Sequence, residues 1–277
     1  MQAGQPVFAF NHMTAPNLGI EAFFAMARSL GVEAVEIRND IAGNAILDGT
    51  KPAEVKALAQ KHGIRILSIN GLQKFNEWTD AREAEAIELA DYAQACGAEA
   101  LVFVPKNDGT GLANGERQAN LRVSLKELAP ILAARGLLGL VEPLGFEICS
   151  LRHKSEAVDA IVDLGLAGKF KLVHDTFHHY LAGNGKLFPS HTGLVHISGV
   201  TDGHVTVGEM RDNHRVLVDG ADRINNVGQI AALLEAGVSV PMSYEPFSAD
   251  VHTLPDLAGS VKQSMEFIKS HLAKAAA

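Results

Sequence analysis

Cysteine is scarce in this chain: its 277 residues include only Cys96 and Cys149, and no CxxC pair. That argues against a disulfide framework and a thiolate zinc site, and both thiols read as small buried apolar groups. Basic runs are lacking too. Lys and Arg number 24 against 32 Asp and Glu, a formal net charge of -8, which argues against nucleic-acid phosphate as the main partner because that binding needs clustered positive charge. A neutral small molecule fits more easily. No run of about 18 uncharged apolar residues occurs, and the N-terminus has no basic segment leading into an apolar one. The expectation is a soluble, cytoplasmic protein with no membrane partner. No GxGxxG follows the first apolar run and no GxxxxGK[ST] is present, which disfavours a nucleotide-binding open sheet.

What the chain does have is ample apolar side chain, 47% of residues against 20% charged, and a repeated order of elements. Eight short apolar runs can be placed: Val7 to Asn11, Val32 to Arg38, Ile64 to Leu72, Ala100 to Pro105, Leu137 to Pro143, Phe170 to Thr176, Leu194 to Gly199 and Val238 to Phe247. Between them apolar residues recur at helical spacing, as in Phe23, Ala27, Leu30 and in Leu257, Val261, Met265, Ile268, Leu272. Several of these segments close on a glycine just before the next run (Gly31, Gly63, Gly97, Gly136, Gly237), as left-handed helix caps do. Nearly continuous apolar strands need cover on both faces, which favours a parallel sheet. Eight strands and a length near the roughly 250 residues typical of the fold predict an α/β chain, one (β/α)8 barrel across residues 1–277. The tail Ala273 to Ala277 is expected to fray.

In such barrels the chemistry lies at the C-terminal ends of the strands. The last four runs each deliver a hard ligand there: Glu142, Asp175, His196 and Glu245. Taken singly, such a strand-end residue is more often a salt-bridge partner or a helix cap. Four on consecutive strands, in apolar runs where an isolated charge is costly, point to a divalent cation that neutralises them. The oxygen-rich set suits Mn²⁺ first, with Mg²⁺, Co²⁺ or Zn²⁺ as alternatives. His178, three residues beyond Asp175, is the first candidate for substrate contact, and Arg215 could hold a hydroxyl or enolate oxygen. His174 alternates away from Asp175 and reads as a packing residue; His179 reads as a loop cap. The first half contributes Asn11, His12, Glu36, Arg38, Asn70 and Lys106. Glu36 and Arg38 share a face, where pairing with each other competes with substrate contact. Phe75, Asn76 and Trp78 either close the pocket or pack beneath their loop.

The segments Leu140-Val-Glu142-Pro, Val173-His-Asp175-Thr-Phe-His178, Leu194-Val-His196-Ile, Arg215-Val-Leu-Val-Asp-Gly220 and Tyr244-Glu245-Pro-Phe, in that order, resemble the sugar-phosphate isomerase/epimerase group of xylose isomerase-like TIM barrels. Phe8-Ala-Phe-Asn11 and Val35-Glu-Ile-Arg38 are also in keeping, and within the group the pattern is most similar to the 2-keto-myo-inositol (inosose) isomerases. The resemblance implies metal binding by Glu142, Asp175, His196 and Glu245 and substrate contact by His178 and Arg215. Asn11, Arg38 and Asn70 are further substrate-binding candidates. It implies isomerisation of a small sugar or cyclitol ketone, and because proton transfer through an enediolate needs groups basic enough on either face of the substrate, Glu142 and Glu245 are expected to form the acid/base pair. Ketose 3-epimerases of this group commonly carry a further Glu downstream of the first ligand, a spacing that Glu147 does not match. A 3-epimerase or hydroxypyruvate isomerase is therefore the second reading. A metal-dependent dehydratase or lyase and a non-catalytic sugar-binding protein follow, and a homo-oligomer is compatible with the exposed helix faces.

Overall fold

The structure, a computed structural model, describes residues 5–275. Eight strands, β1 (Phe8–Asn11), β2 (Ala34–Arg38), β3 (Arg65–Gln73), β4 (Ala100–Val104), β5 (Leu138–Val141), β6 (Phe170–Asp175), β7 (Thr192–Ile197) and β8 (Met242–Tyr244), close into a barrel in sequence order. Every neighbouring pair is parallel, including β1 with β8. The connections carry α1 (Ile20–Ser29), α2 (Pro52–His62), α3 (Asp80–Cys96), α4 (Asn114–Ala133), α5 (Lys154–Asp163), α6 (Thr176–Leu181), α7 (Asn226–Glu235), α8 (Ala249–His252) and α9 (Leu257–Ala275). This is the TIM barrel expected from the eight apolar runs. No described helix is long and apolar enough to cross a membrane.

Local chemistry explains several of the boundaries. Pro52 opens α2, where a missing N–H costs nothing, and the Thr79 side chain caps α3 by accepting from the Arg82 amide. Both helices stop on glycines at positive φ, Gly63 at 64° and Gly97 at 83°, a conformation that a Cβ would strain. β8 is shorter than the run Val238 to Phe247 anticipated, because Pro241 and Pro246 flank it and neither can donate to a ladder. β7 begins two residues earlier than expected, at Thr192, and ends at Ile197. α9 runs to Ala275, with Leu272 buried in its last turns; of the tail expected to fray, Ala276 and Ala277 lie outside the described residues.

Strand alternation divides the side chains into two sets. Phe10, Val35, Ile37, Ile69, Phe103, Phe170 and Tyr244 point outward into the main core with the helices. Ala9, Ala34, Leu67, Ala100, Val102, Leu140, Val173 and Leu194 form a separate apolar cluster. Asn11, Glu36, Glu142, Asp175 and His196 share strand parity with that second set, so the polar residues stand above an apolar plug on the barrel axis.

Candidate metal centre

The four strand-end ligand candidates converge. Asp175 ends β6 and His196 lies on β7, while Glu142 and Glu245 directly follow β5 and β8. Their amides continue the ladder, Glu142 N to Phe103 O at 3.1 Å and Glu245 N to Ile197 O at 2.9 Å, so both carboxylates stand on paired backbone. One ligand atom from each of the four residues lies within 4.8 Å of all the others, and all four side chains are buried. His196 Nδ1 is 2.7 Å from Glu142 Oε1, 3.2 Å from Glu245 Oε2 and 3.9 Å from Asp175 Oδ2.

Two guanidiniums reach the same cluster. Arg215 Nη2 donates to Asp175 Oδ2 at 2.6 Å and to Glu245 Oε2 at 2.8 Å, and its Nε donates to Ser198 Oγ. Arg38 Nη1 donates to Glu245 Oε1 at 2.7 Å, while its Nε and Nη2 bind Asp40. The Phe247 ring lies under both, 4.6 Å from the Arg215 guanidinium carbon and 5.3 Å from that of Arg38. Of the two readings open for Glu36 and Arg38, pairing with each other does not form. Glu36 instead accepts from Ser68 Oγ at 2.7 Å and faces His196 Nε2 at 3.1 and 3.2 Å, because the inward faces of β2, β3 and β7 meet there.

The electrostatics of this arrangement are unbalanced. Glu36, Glu142, Asp175 and Glu245 are opposed by Arg38 and Arg215, and those guanidiniums also pair with Asp40 and Asp212, so carboxylates outnumber the guanidiniums at the mouth. A cation would relieve that excess, and the donor set of three carboxylates and one imidazole suits a hard or borderline ion. Burial raises the Glu142 carboxyl above the usual range despite the opposing pull of His196. Burial acts in the same sense on Glu245, but His196, Arg215 and Arg38 outweigh it and hold that carboxyl well below its ordinary value. His196 would be depressed by burial, yet the carboxylates of Glu245, Glu36 and Glu142 raise it well above the ordinary imidazole value.

A cavity of about 470 Å³ opens above the cluster, and Arg38, Asn70, Glu142, His178, Arg215 and Glu245 are among its walls. His178 is buried, its Nδ1 has no hydrogen-bond partner among the described residues, and Phe146 and Phe177 meet its ring edge-on. Asp175 accepts from the His178 amide at 2.7 Å and so caps α6, which fixes where His178 stands. Asn70 Nδ2 is 3.4 Å from Glu245 Oε1. Asn11 is absent from the cavity wall and lies below it, between Glu36, Glu245 and Arg38.

Other residues lie elsewhere. Lys106 pairs with Glu77 at 2.6 Å, and Asn76 binds Ser150 Oγ and the Lys106 amide. Phe75 is buried against Phe103, and Trp78 packs on the main core, so this loop packs down and Gln73 and Lys74 reach the cavity instead. His12 binds Leu18 O and stacks on Phe23, and burial lowers it to about 4. His174 faces outward to Gln229, as its parity predicts. The His179 ring lies 4.7 Å from that of His174, and its carbonyl accepts from the Asn184 amide. Cys96 and Cys149 are buried, which pushes both thiols up to about 11. Sequence reasoning missed the role of Glu36 as the partner of His196. Its parity with Arg38 was the available signal.

The sequence matches the xylose isomerase-like TIM barrel family over residues 24–271. The chain belongs to that family. Among solved xylose isomerase-like structures, a xylose isomerase domain-containing protein from Salmonella typhimurium LT2 is 32% identical, with 99% of each chain covered and a TM-score of 0.89. The IolI protein, solved with a binding zinc atom, is 20% identical over 96% of this chain and 98% of its own, with a TM-score of 0.84. D-psicose 3-epimerase from Clostridium cellulolyticum H10, solved with D-tagatose, is 14% identical over 96% and 99%, with a TM-score of 0.73. These last two likenesses establish the shared barrel alone. No curated protein matches the chain.

Proposed function

We propose that this protein is a divalent-metal-dependent isomerase of a small sugar or cyclitol ketone, with 2-keto-myo-inositol the first substrate to test. The observation that carries this reading is the convergence of four buried side chains, Glu142, Asp175, His196 and Glu245, within 4.8 Å. These four residues would hold the ion, manganese first; the zinc seen in the IolI protein supports a divalent occupant on this barrel. The ion supplies Lewis-acid polarisation of a ketone and its neighbouring hydroxyl.

The chain's own residues supply the rest. Isomerisation removes a proton beside a carbonyl and returns one nearby, which requires two groups of different acidity in reach of the substrate. Glu142 and Glu245, both on the cavity wall, suit that acid/base pair, and Arg215 and Arg38 hold the Glu245 carboxylate in place. His178 offers a free ring nitrogen to a hydroxyl. Arg215 and Arg38 hold negative charge as it develops, and Asn70 contacts a hydroxyl from the opposite wall. Asn11 acts from below, by orienting Glu245 and Arg38.

Glu142→Gln and Glu245→Gln are each expected to fold normally and to lose about 10²- to 10⁴-fold in turnover. The assay is deuterium uptake beside the carbonyl in heavy water, across a panel of inososes, ketoses and hydroxypyruvate. Near-normal turnover in both variants would remove the acid/base pair. The second reading, a ketose 3-epimerase, draws on the presence of two carboxylates at one cavity; inversion at a ketose C3 without carbonyl migration would favour it.

A further inference from the structure

A second polar cavity, of about 120 Å³, lies between the β5–α5 connection, α6 and the segment that follows α6. Its walls include Arg152, His153, Lys154, His179 and Lys186. Among the described residues lining it, the only carboxylate is Asp175, whose oxygens already accept from the His178 amide and Arg215. Arg152, Lys154 and Lys186 form no ion pair with any described carboxylate. Such a grouping is unexpected in a chain of net charge -8.

The largely buried member, Lys154, is held by a chain of neutral groups. Gln229 Nε2 donates to Thr176 O at 3.1 Å and Ile224 O at 2.8 Å, so its Oε1 must be the atom that faces His174 Nε2 at 3.0 Å. His174 therefore carries its proton on Nε2 and presents a lone pair on Nδ1, which accepts from Lys154 Nζ at 2.6 Å. This fixes the lysine without neutralising it. Its Nζ meets His174 and no carboxylate among the described residues, and burial lowers the amine to about 7 with the Asp175 charge opposing the shift. Arg152 is similarly anchored, by the carbonyls of Gly145 and Leu181 at 3.0 Å each. The cavity, of about 120 Å³, has room for one small oxyanionic group.

We propose that this cavity binds a small oxyanion, a phosphate or carboxylate group, on Lys154, with Arg152 and Lys186 completing its charged wall. The site adjoins the metal centre through His178, which lines both cavities, but it does not rest on the isomerase reading. Water alone would satisfy the donors but leave the positive charge unpaired.

The test is calorimetric titration with inorganic phosphate. One saturable site is expected, weakened about tenfold or more in Lys154→Met and unchanged in Glu142→Gln, as befits loss of a charged hydrogen bond. In the unaltered protein, phosphate should also protect Lys154 from acetylation as read by mass spectrometry, which keeps the test valid if Lys154→Met fails to fold. No saturation in the millimolar range, loss of binding in Glu142→Gln, equal affinity in a folded Lys154→Met or an unprotected Lys154 would overturn the site. Phosphate that competes with a ketose phosphate but not with the neutral ketose assigns the occupant to a substrate. Binding without competition assigns it to a free oxyanion, and either result upholds the site.

Discussion

Glu36 is absent from the cavity wall, yet it controls the residue that most needs orienting. It accepts from Ser68 and takes the Nε2 side of His196, so the other ring nitrogen faces Glu142, Glu245 and Asp175. On the proposed metal reading, an imidazole held this way by a carboxylate would keep its tautomer and its basicity as a ligand, and loss of such a partner typically weakens metal binding about 10- to 100-fold. Glu36→Gln is expected to bind Mn²⁺ that much more weakly in a calorimetric titration, with its circular dichroism unchanged. Wild-type affinity in this variant would show that the ring is held by packing alone.

At the scale of elements, the approach of the β5–α5 connection to α6 is as tight as any contact at the mouth. A Cβ at Gly145 would run into the His178 carbonyl oxygen and stand 2.6 Å from Leu181 Cβ. Gly145→Ala should therefore push α6 aside, cost about 1–3 kcal/mol of stability and displace His178 from the cavity. A thermal melt together with KM should register both effects; an unshifted melt and KM would mean that the connection yields freely. The eight strands were legible because each is an apolar run followed by a helical segment, and the convergence of Glu142, Asp175, His196 and Glu245 because they end four consecutive runs, although each alone reads as a salt-bridge partner or cap. The partnerships were not. Arg38 and Glu245 meet across 207 positions of sequence, and Glu36 and His196 across 160, so no local spacing encodes them. Closure of the barrel creates these pairs, and it was closure, not register, that the strand count implied. The ends of β8 were misjudged because the two flanking prolines read as part of an apolar run, when they forbid its ladder.

For the whole molecule, acid should be the sensitive side. Burial lowers His12 and His179 to about 4 and His174 well below its ordinary value. Between pH 4 and about 6.5 the unfolded chain then binds more protons than the folded one, so this stability is complete above about 6.5 and is lost as the pH falls towards 4. His196 acts in the opposite sense, because its raised value favours the folded state at low pH. His12 alone accounts for up to about 3 kcal/mol. His12→Gln, which retains a donor for Leu18 O, should flatten the fall of melting temperature between pH 6.5 and 4; an unchanged slope would show that His12 ionises freely. The charged web at the mouth has a different consequence. It joins the ends of β2, β6 and β8 with β7 and the residue after β5, so single replacements there will mask one another genetically. Once Arg38→Met has stripped Glu245 of one counter-ion, adding Glu245→Gln should restore part of the lost unfolding free energy, with a non-additivity of about 0.5–3 kcal/mol in a double-mutant cycle. Strict additivity would mean that the two charges fold as strangers, and a tolerant variant at one rim position could then be combined with any other.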